Sequence, residues 1–142
     1  MGYGLLAKRN KALLINNGGT IMAGFKDLKV WQESKSLAVE IYRLTQAGQF
    51  NQDFGLRDQL RRAAVSIPSN IAEGDERNTN KDAVRFLYIA KGSLAEFRTQ
   101  LEIAFEIGYI NSETFDNLEL KCLSLGKKLG SLIKVRACTH NP

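Results

Sequence analysis

From Asp27 to Gln46 apolar residues recur at spacings of three and four: Val30, Trp31, Leu37, Ala38, Ile41, Tyr42 and Leu44, with Lys29, Glu33, Lys35, Glu40 and Arg43 between them. A period near 3.6 residues is that of an amphipathic helix. Ala47-Gly48 and Asn51 to Gly55 supply turn chemistry. Leu56, Leu60, Ala63, Ala64, Ile67 and Ile71 then repeat the pattern as far as Gly74. Pro68 falls inside this second helix. Its ring removes one backbone bond and crowds the carbonyl of Ala64, which predicts a kink near Ile67 or a short non-helical break. The polar stretch Asp75 to Asn80 reads as a loop, with Asn80 or Thr79 as N-cap of a third helix that runs to about Ile107 and stops at Gly108. Ser112 is expected to cap the fourth, whose seam is Phe115, Leu118, Cys122, Leu125, Leu129 and Leu132. Short connections make neighbouring helices antiparallel, so the fold class is all-α, an up-and-down four-helix bundle over residues 25–136.

Outside that pattern, residues 1–24 end near the breaker cluster Asn16-Asn17-Gly18-Gly19 and sustain no period. They are expected to form a disordered extension, with Met22 the natural start and residues 1–21 a leader; residues 137–142 form a C-terminal tail. The net charge of +5 divides accordingly. Lys8, Arg9 and Lys11 account for +3 without any acid, which leaves the bundle nearly neutral. A high isoelectric point is therefore weak evidence for nucleic acid, and any such binding must come from local patches. No apolar run reaches the roughly 18 residues of a membrane span. Two cysteines and a single histidine, His140, give no zinc or disulfide framework, and a reducing cytoplasm fits.

Catalytic chemistry finds no footing, and no cofactor or small-molecule substrate is expected. Carboxylate-bridged metal bundles need Glu-x-x-His on two helices, and no histidine lies in any predicted helix. Gly126-Lys127-Lys128 lacks the strand and loop of a phosphate cradle. Cys122 sits in an apolar seam with no base beside it, so it reads as a buried structural thiol.

Polar residues on inward faces are more informative. Ser66, Asn70 and Glu73 make one stripe on the second helix, and Ser93, Glu96 and Gln100 make one on the third. A hairpin turning near residues 77 and 78 would level Arg62 with Ser93, Gln59 with Glu96 and Asn70 with Arg85. These residues read as an interhelical polar network that fixes register, in which Glu96 contributes stability, with a ligand site as the alternative. The third helix is also apolar beyond one stripe. Phe86, Ala90, Phe97, Ala104 and Ile107 share the first face, while Val84, Leu87, Tyr88, Leu94, Leu101 and Phe105 occupy a second. Such width predicts cover by another subunit, hence a homo-oligomer. Among basic residues, Arg57 and Arg61 lie one turn apart and can jointly face a phosphate backbone, and Lys127, Lys128, Lys134 and Arg136 mark the fourth helix. The bland reading is a solvated face, because no aromatic residue is seen to interleave with the arginines.

Three segments carry a resemblance: Phe25-Lys-Asp-Leu-Lys-Val-Trp31; Leu56 to Gly74, and within it Ser66-Ile-Pro-Ser-Asn-Ile-Ala-Glu-Gly74; and Ile89-Ala-Lys-Gly-Ser-Leu-Ala-Glu96. Over about residues 25 to 136 the chain resembles the bacterial four-helix bundle proteins encoded in intervening sequences of 23S ribosomal RNA genes. Lys91 departs, standing where relatives often carry a small or apolar residue. The resemblance implies a left-handed bundle that assembles as a cyclic homopentamer. It also implies kinship with the accessory variability protein of diversity-generating retroelements, a more basic pentamer that binds nucleic acid and reverse transcriptase. The expectation is thus a non-enzymatic pentameric bundle that binds RNA or DNA through Arg57, Arg61, Lys127 and Lys128. The alternative is a protein-interaction scaffold without a nucleic-acid role.

Overall fold

The computed structural model describes residues 14–15, 21–22 and 24–138 of the chain. Its helices are α1 (Lys29–Leu44), α2 (Phe54–Asp75), α3 (Asn80–Glu106) and α4 (Ser112–Ala137), and each packs antiparallel to the next. The helical pattern of the sequence is therefore realised, with boundaries moved by one to three residues. Ahead of the bundle, β1 (Leu14–Ile15) and β2 (Ile21–Met22) pair antiparallel with Leu14 opposite Met22. Two apolar pairs flanking the Asn-Gly cluster carry this ladder, which is too short to leave a period in the sequence. The disorder expected of residues 1–24 and the tail after Cys138 otherwise concern residues outside those described.

Helix ends follow from their capping chemistry. Asp53 accepts from the Leu56 N–H at 3.1 Å to start α2, and Thr79 accepts from the Asp82 N–H at 3.1 Å to start α3. For α4 the cap is Asn111, not Ser112, since the Asn111 side chain accepts from the Thr114 N–H at 2.8 Å. Either residue type can cap, and only the chain's exit from the preceding turn selects between neighbours. At Gly108 the backbone adopts φ of 85°, a left-handed conformation that ends α3 and that a side chain would disfavour.

No break occurs at Pro68, which is buried inside a helix that continues to Asp75. The hydroxyl of Ser69 donates to the Val65 carbonyl at 2.8 Å and the Asn70 amide donates to the Ser66 carbonyl at 2.8 Å. Side chains thus bond the carbonyls beside the one the proline leaves without its N–H.

The core is continuous. Ile41, Leu60, Ile67, Ile71, Phe97 and Leu101 are essentially solvent-free, as are Leu118, Leu125 and Leu129. Between α2 and α3 the lining is small, with Ala63, Ala64, Gly74, Ala83 and Ala90 all buried, so these two helices approach most closely. This corrects the argument made from the width of α3. Leu87, Leu94 and Leu101 of its second face are buried within the chain, and Val84 and Phe105 are half-buried. What α3 leaves exposed is Tyr88 of that second face, Ile107 of the first, and Ile89 and Ile103, which belong to neither.

Candidate nucleic-acid interface

Between α2 and α3 the Ser66 and Ser93 hydroxyls lie 2.7 Å apart, and the Asn70 amide donates to Ser66 Oγ at 3.0 Å. Here lies the centre of the expected network, in a different register. Ser66, not Arg62, is level with Ser93, because α3 begins about one turn beyond the level the symmetric hairpin assigned. The shift brings Arg62 level with Glu96. Together with Gln59 and the two serines they line a polar hollow of about 160 Å³. Both charged side chains are exposed, and among the described residues no hydrogen bond or ion pair joins them. Glu73 turns away to pair with Arg77 one turn on. Gln100 stays half-buried, its Oε1 without a hydrogen-bond partner among the described residues. The network is therefore three residues wide, Ser66, Ser93 and Asn70, and Glu96 is outside it.

A second cluster forms where α2 begins. Arg57 and Arg61 follow each other by one turn, and each guanidinium lies against an aromatic ring. Arg57 stands 4.7 Å from the centroid of Phe54, and Arg61 stands 4.5 Å from that of Tyr42 on α1. Both distances are within reach of cation–π attraction. Arg61 Nε donates to Thr45 Oγ1 at 2.8 Å, and Arg57 Nε pairs with Asp58 at 3.0 Å. Each plane also reaches a backbone carbonyl, Arg57 Nη1 donating to Asn51 at 3.4 Å and Arg61 Nη2 to Tyr42 at 3.5 Å, so both arginines are half-buried and pre-oriented. The rings are themselves open to solvent, Phe54 at 61% and Tyr42 at 42%. The aromatic interleaving that the sequence seemed to lack is present. For Phe54 the signal was its spacing of three from Arg57; Tyr42 is nineteen positions from Arg61, and only the α1–α2 packing joins them.

Lys127 and Lys128 are elsewhere. Lys128 forms an ion pair with Glu33 across the α1–α4 seam, while Lys127 is exposed. Arg61 is level with Thr45 at the end of α1, so the two basic regions are separated by more than three turns, about 18 Å along the bundle. They make two patches on one protomer.

Cys122 is 1% exposed, and burial, reinforced by the nearby Glu119 carboxylate, pushes its thiol up to about 12 despite the opposing Arg98. A thiol held neutral is not a nucleophile at physiological pH. No cluster of His, Cys, Asp and Glu with metal-binding geometry occurs among the described residues, and His140 lies outside them. No described helix is long and apolar enough to cross a membrane.

Comparison with known proteins adds a lineage to this geometry. The family model for the 23S rRNA-intervening sequence protein matches residues 26–131. Among solved structures, a protein of unknown function from the S23 ribosomal protein family of Bacteroides thetaiotaomicron is 28% identical, with a TM-score of 0.69. The match covers 74% of this chain and 98% of that one. No curated protein matches the chain.

Proposed function

This chain belongs to the 23S rRNA-intervening sequence protein family, and from that premise we propose that it is a non-enzymatic, homopentameric helical bundle of the cytoplasm that binds structured RNA. The observation that carries the reading is the pair Arg57 on Phe54 and Arg61 on Tyr42. Exposed rings offer faces on which unpaired bases stack, and guanidiniums one turn apart meet successive phosphates. Stacking also lowers the entropy lost on binding, because each arginine plane is already oriented before RNA arrives. A single such face is weak, and cyclic symmetry multiplies it. Lys127 and Lys128 lie about 18 Å along the bundle from this face and are not part of it.

The test is a salt titration of binding to a pool of structured RNAs and, separately, to duplex DNA. For the wild type, the logarithm of the RNA affinity is expected to fall linearly with log salt concentration, each phosphate contact contributing roughly 0.7 to 0.9 to the slope. Arg57→Glu with Arg61→Glu is expected to weaken binding and flatten that slope. An unchanged slope, or no binding by the wild type at low salt, rejects the nucleic-acid reading and leaves the protein scaffold in front.

A further inference from the structure

Two surfaces of this bundle match each other in length, shape and charge. The first is the outward ridge of α3. From Glu96 to Ile107, exposed residues fall at spacings of three and four, namely Glu96, Thr99, Ile103, Glu106 and Ile107. The core side of the same stretch is engaged through Phe97, Leu101 and Ala104, and among the described residues the ridge is left exposed. Ile103 is 46% and Ile107 51% exposed. The only cation in the stretch, Arg98, faces α4 and bonds Glu119 at 2.8 Å. The ridge therefore presents branched apolar side chains flanked by carboxylates, with the exposed Arg62 of α2 level with Glu96 at one end.

The second surface is the seam between α1 and α4, the least closely packed pair of neighbouring helices in the bundle. Two hollows of about 370 Å³ each lie along it and share Lys29. Leu28, Val30, Leu132 and Val135 line one, and Leu37 and Leu125 line the other. Lysines stand along its length. Lys121 and Lys128 are held by Glu40 and Glu33 across the seam, whereas Lys29 and Lys127 are exposed and have no ion pair among the described residues. From Leu28 to Glu40 the groove is about 18 Å long, and the ridge from Glu96 to Ile107 is about 17 Å.

We propose that the α3 ridge of one protomer seats in the lysine-rimmed α1–α4 groove of the next. The occupant is a second copy, because apolar length, negative charge and positive charge that complement one another are all carried by this chain. The two surfaces lie on different helices, so the contact is heterologous, and heterologous contacts repeat into a ring when the rotation closes. Apolar side chains of the ridge would displace water from the groove, and its glutamates would meet the two unpaired lysines. The inference rests on the homo-oligomer reading above and names the surfaces that build it.

Charge reversal tests the pairing on the full-length chain by light scattering at micromolar concentration. The wild type is expected at a multiple of 15.8 kDa. A groove variant, Lys29→Glu with Lys127→Glu, and a ridge variant, Glu96→Lys with Glu106→Lys, are each expected to drop to the mass of one chain. All four side chains are exposed and unpaired, so helical content by circular dichroism should not change. Combining the four reversals restores opposite charges across the contact and is expected to restore the assembly. If the wild type is oligomeric and the single-surface variants keep its mass, these surfaces are wrong while the oligomer reading stands. A fourfold variant that stays at one chain overturns the pairing. A wild type of one chain overturns the oligomer reading itself.

Discussion

Gly74 shows how one residue sets the distance between two helices. A β-carbon placed there would lie 3.0 Å from the Ala83 carbonyl oxygen and 3.2 Å from Phe86 Cβ, so α3 would have to retreat from α2. Helix propensity favours alanine by about 1 kcal/mol, and overpacking of this kind costs about 1–3 kcal/mol. The backbone oxygen cannot swing aside, so the second effect prevails. Gly74→Ala is expected to lower unfolding free energy by up to about 2 kcal/mol in urea denaturation. Gly130→Ala, where nothing lies within 4 Å of the added carbon, is expected to raise it by up to about 1 kcal/mol. Cysteine chemistry is equally local. A thiol reagent at pH 8 should modify one group per native chain, the exposed Cys138, and reach Cys122 only after unfolding. Fast reaction of both thiols in the native protein would contradict the burial of Cys122. The buried thiol was legible as a seam position on a helical wheel, whereas Gly74 read only as the end of the second helix's pattern. Their spacing against the partner helix was not legible, because a one-turn difference in register leaves the pattern of each helix unchanged.

At the scale of elements, the α1–α2 and α3–α4 connections at one end of the bundle are tied to each other by a side-chain hydrogen bond. Tyr109, just past α3, donates from its hydroxyl to Asp53 Oδ2 at 2.8 Å while packing edge-on to Phe50. Asp53 also caps α2, so one carboxylate ties a helix start to a distant loop. The Leu56 N–H and the Tyr109 hydroxyl hold the Asp53 carboxyl below its ordinary 3.8, and the same bond raises the Tyr109 phenol above 10.0. The signs follow from linkage. A depressed carboxyl stabilises the fold above its unfolded value, and the contribution is lost as pH falls through the folded one. A raised phenol stabilises below its unfolded value and loses that contribution as pH rises through the folded one. Asp53→Asn is therefore expected to melt below the wild type at neutral pH, with the gap closing as pH drops below 3.8. A gap that persists at pH 2 would show that the carboxylate charge is not its source. The sequence placed a turn at Asn51 to Gly55. Its bond to Tyr109, fifty-six positions away, came from helix lengths that bring both connections to one end.

For the whole molecule, the consequence of symmetry is avidity. If arginine faces repeat around a ring, RNA that spans several of them binds more tightly than one face does, by factors of about 10² to 10⁴. Ile103→Ser with Ile107→Ser removes apolar area from the α3 ridge and leaves Arg57, Arg61 and every charge in place. It is expected to yield single chains whose RNA affinity falls within that range, measured by fluorescence anisotropy. Unchanged affinity from single chains would mean that each face binds alone. The sequence by itself determined that four amphipathic helices form, where their apolar stripes run and which residue types end them, because these depend on local periodicity and backbone bonding. It also carried the family, through Ser66-Ile-Pro-Ser-Asn-Ile-Ala-Glu-Gly74. Only the tertiary structure decided which polar residues meet, that the second face of α3, Tyr88 excepted, turns inward, and that Tyr42 lies under Arg61. Those outcomes depend on rotation and axial offset between helices, which are set by packing of facing side chains far apart in the chain. No single helix encodes them.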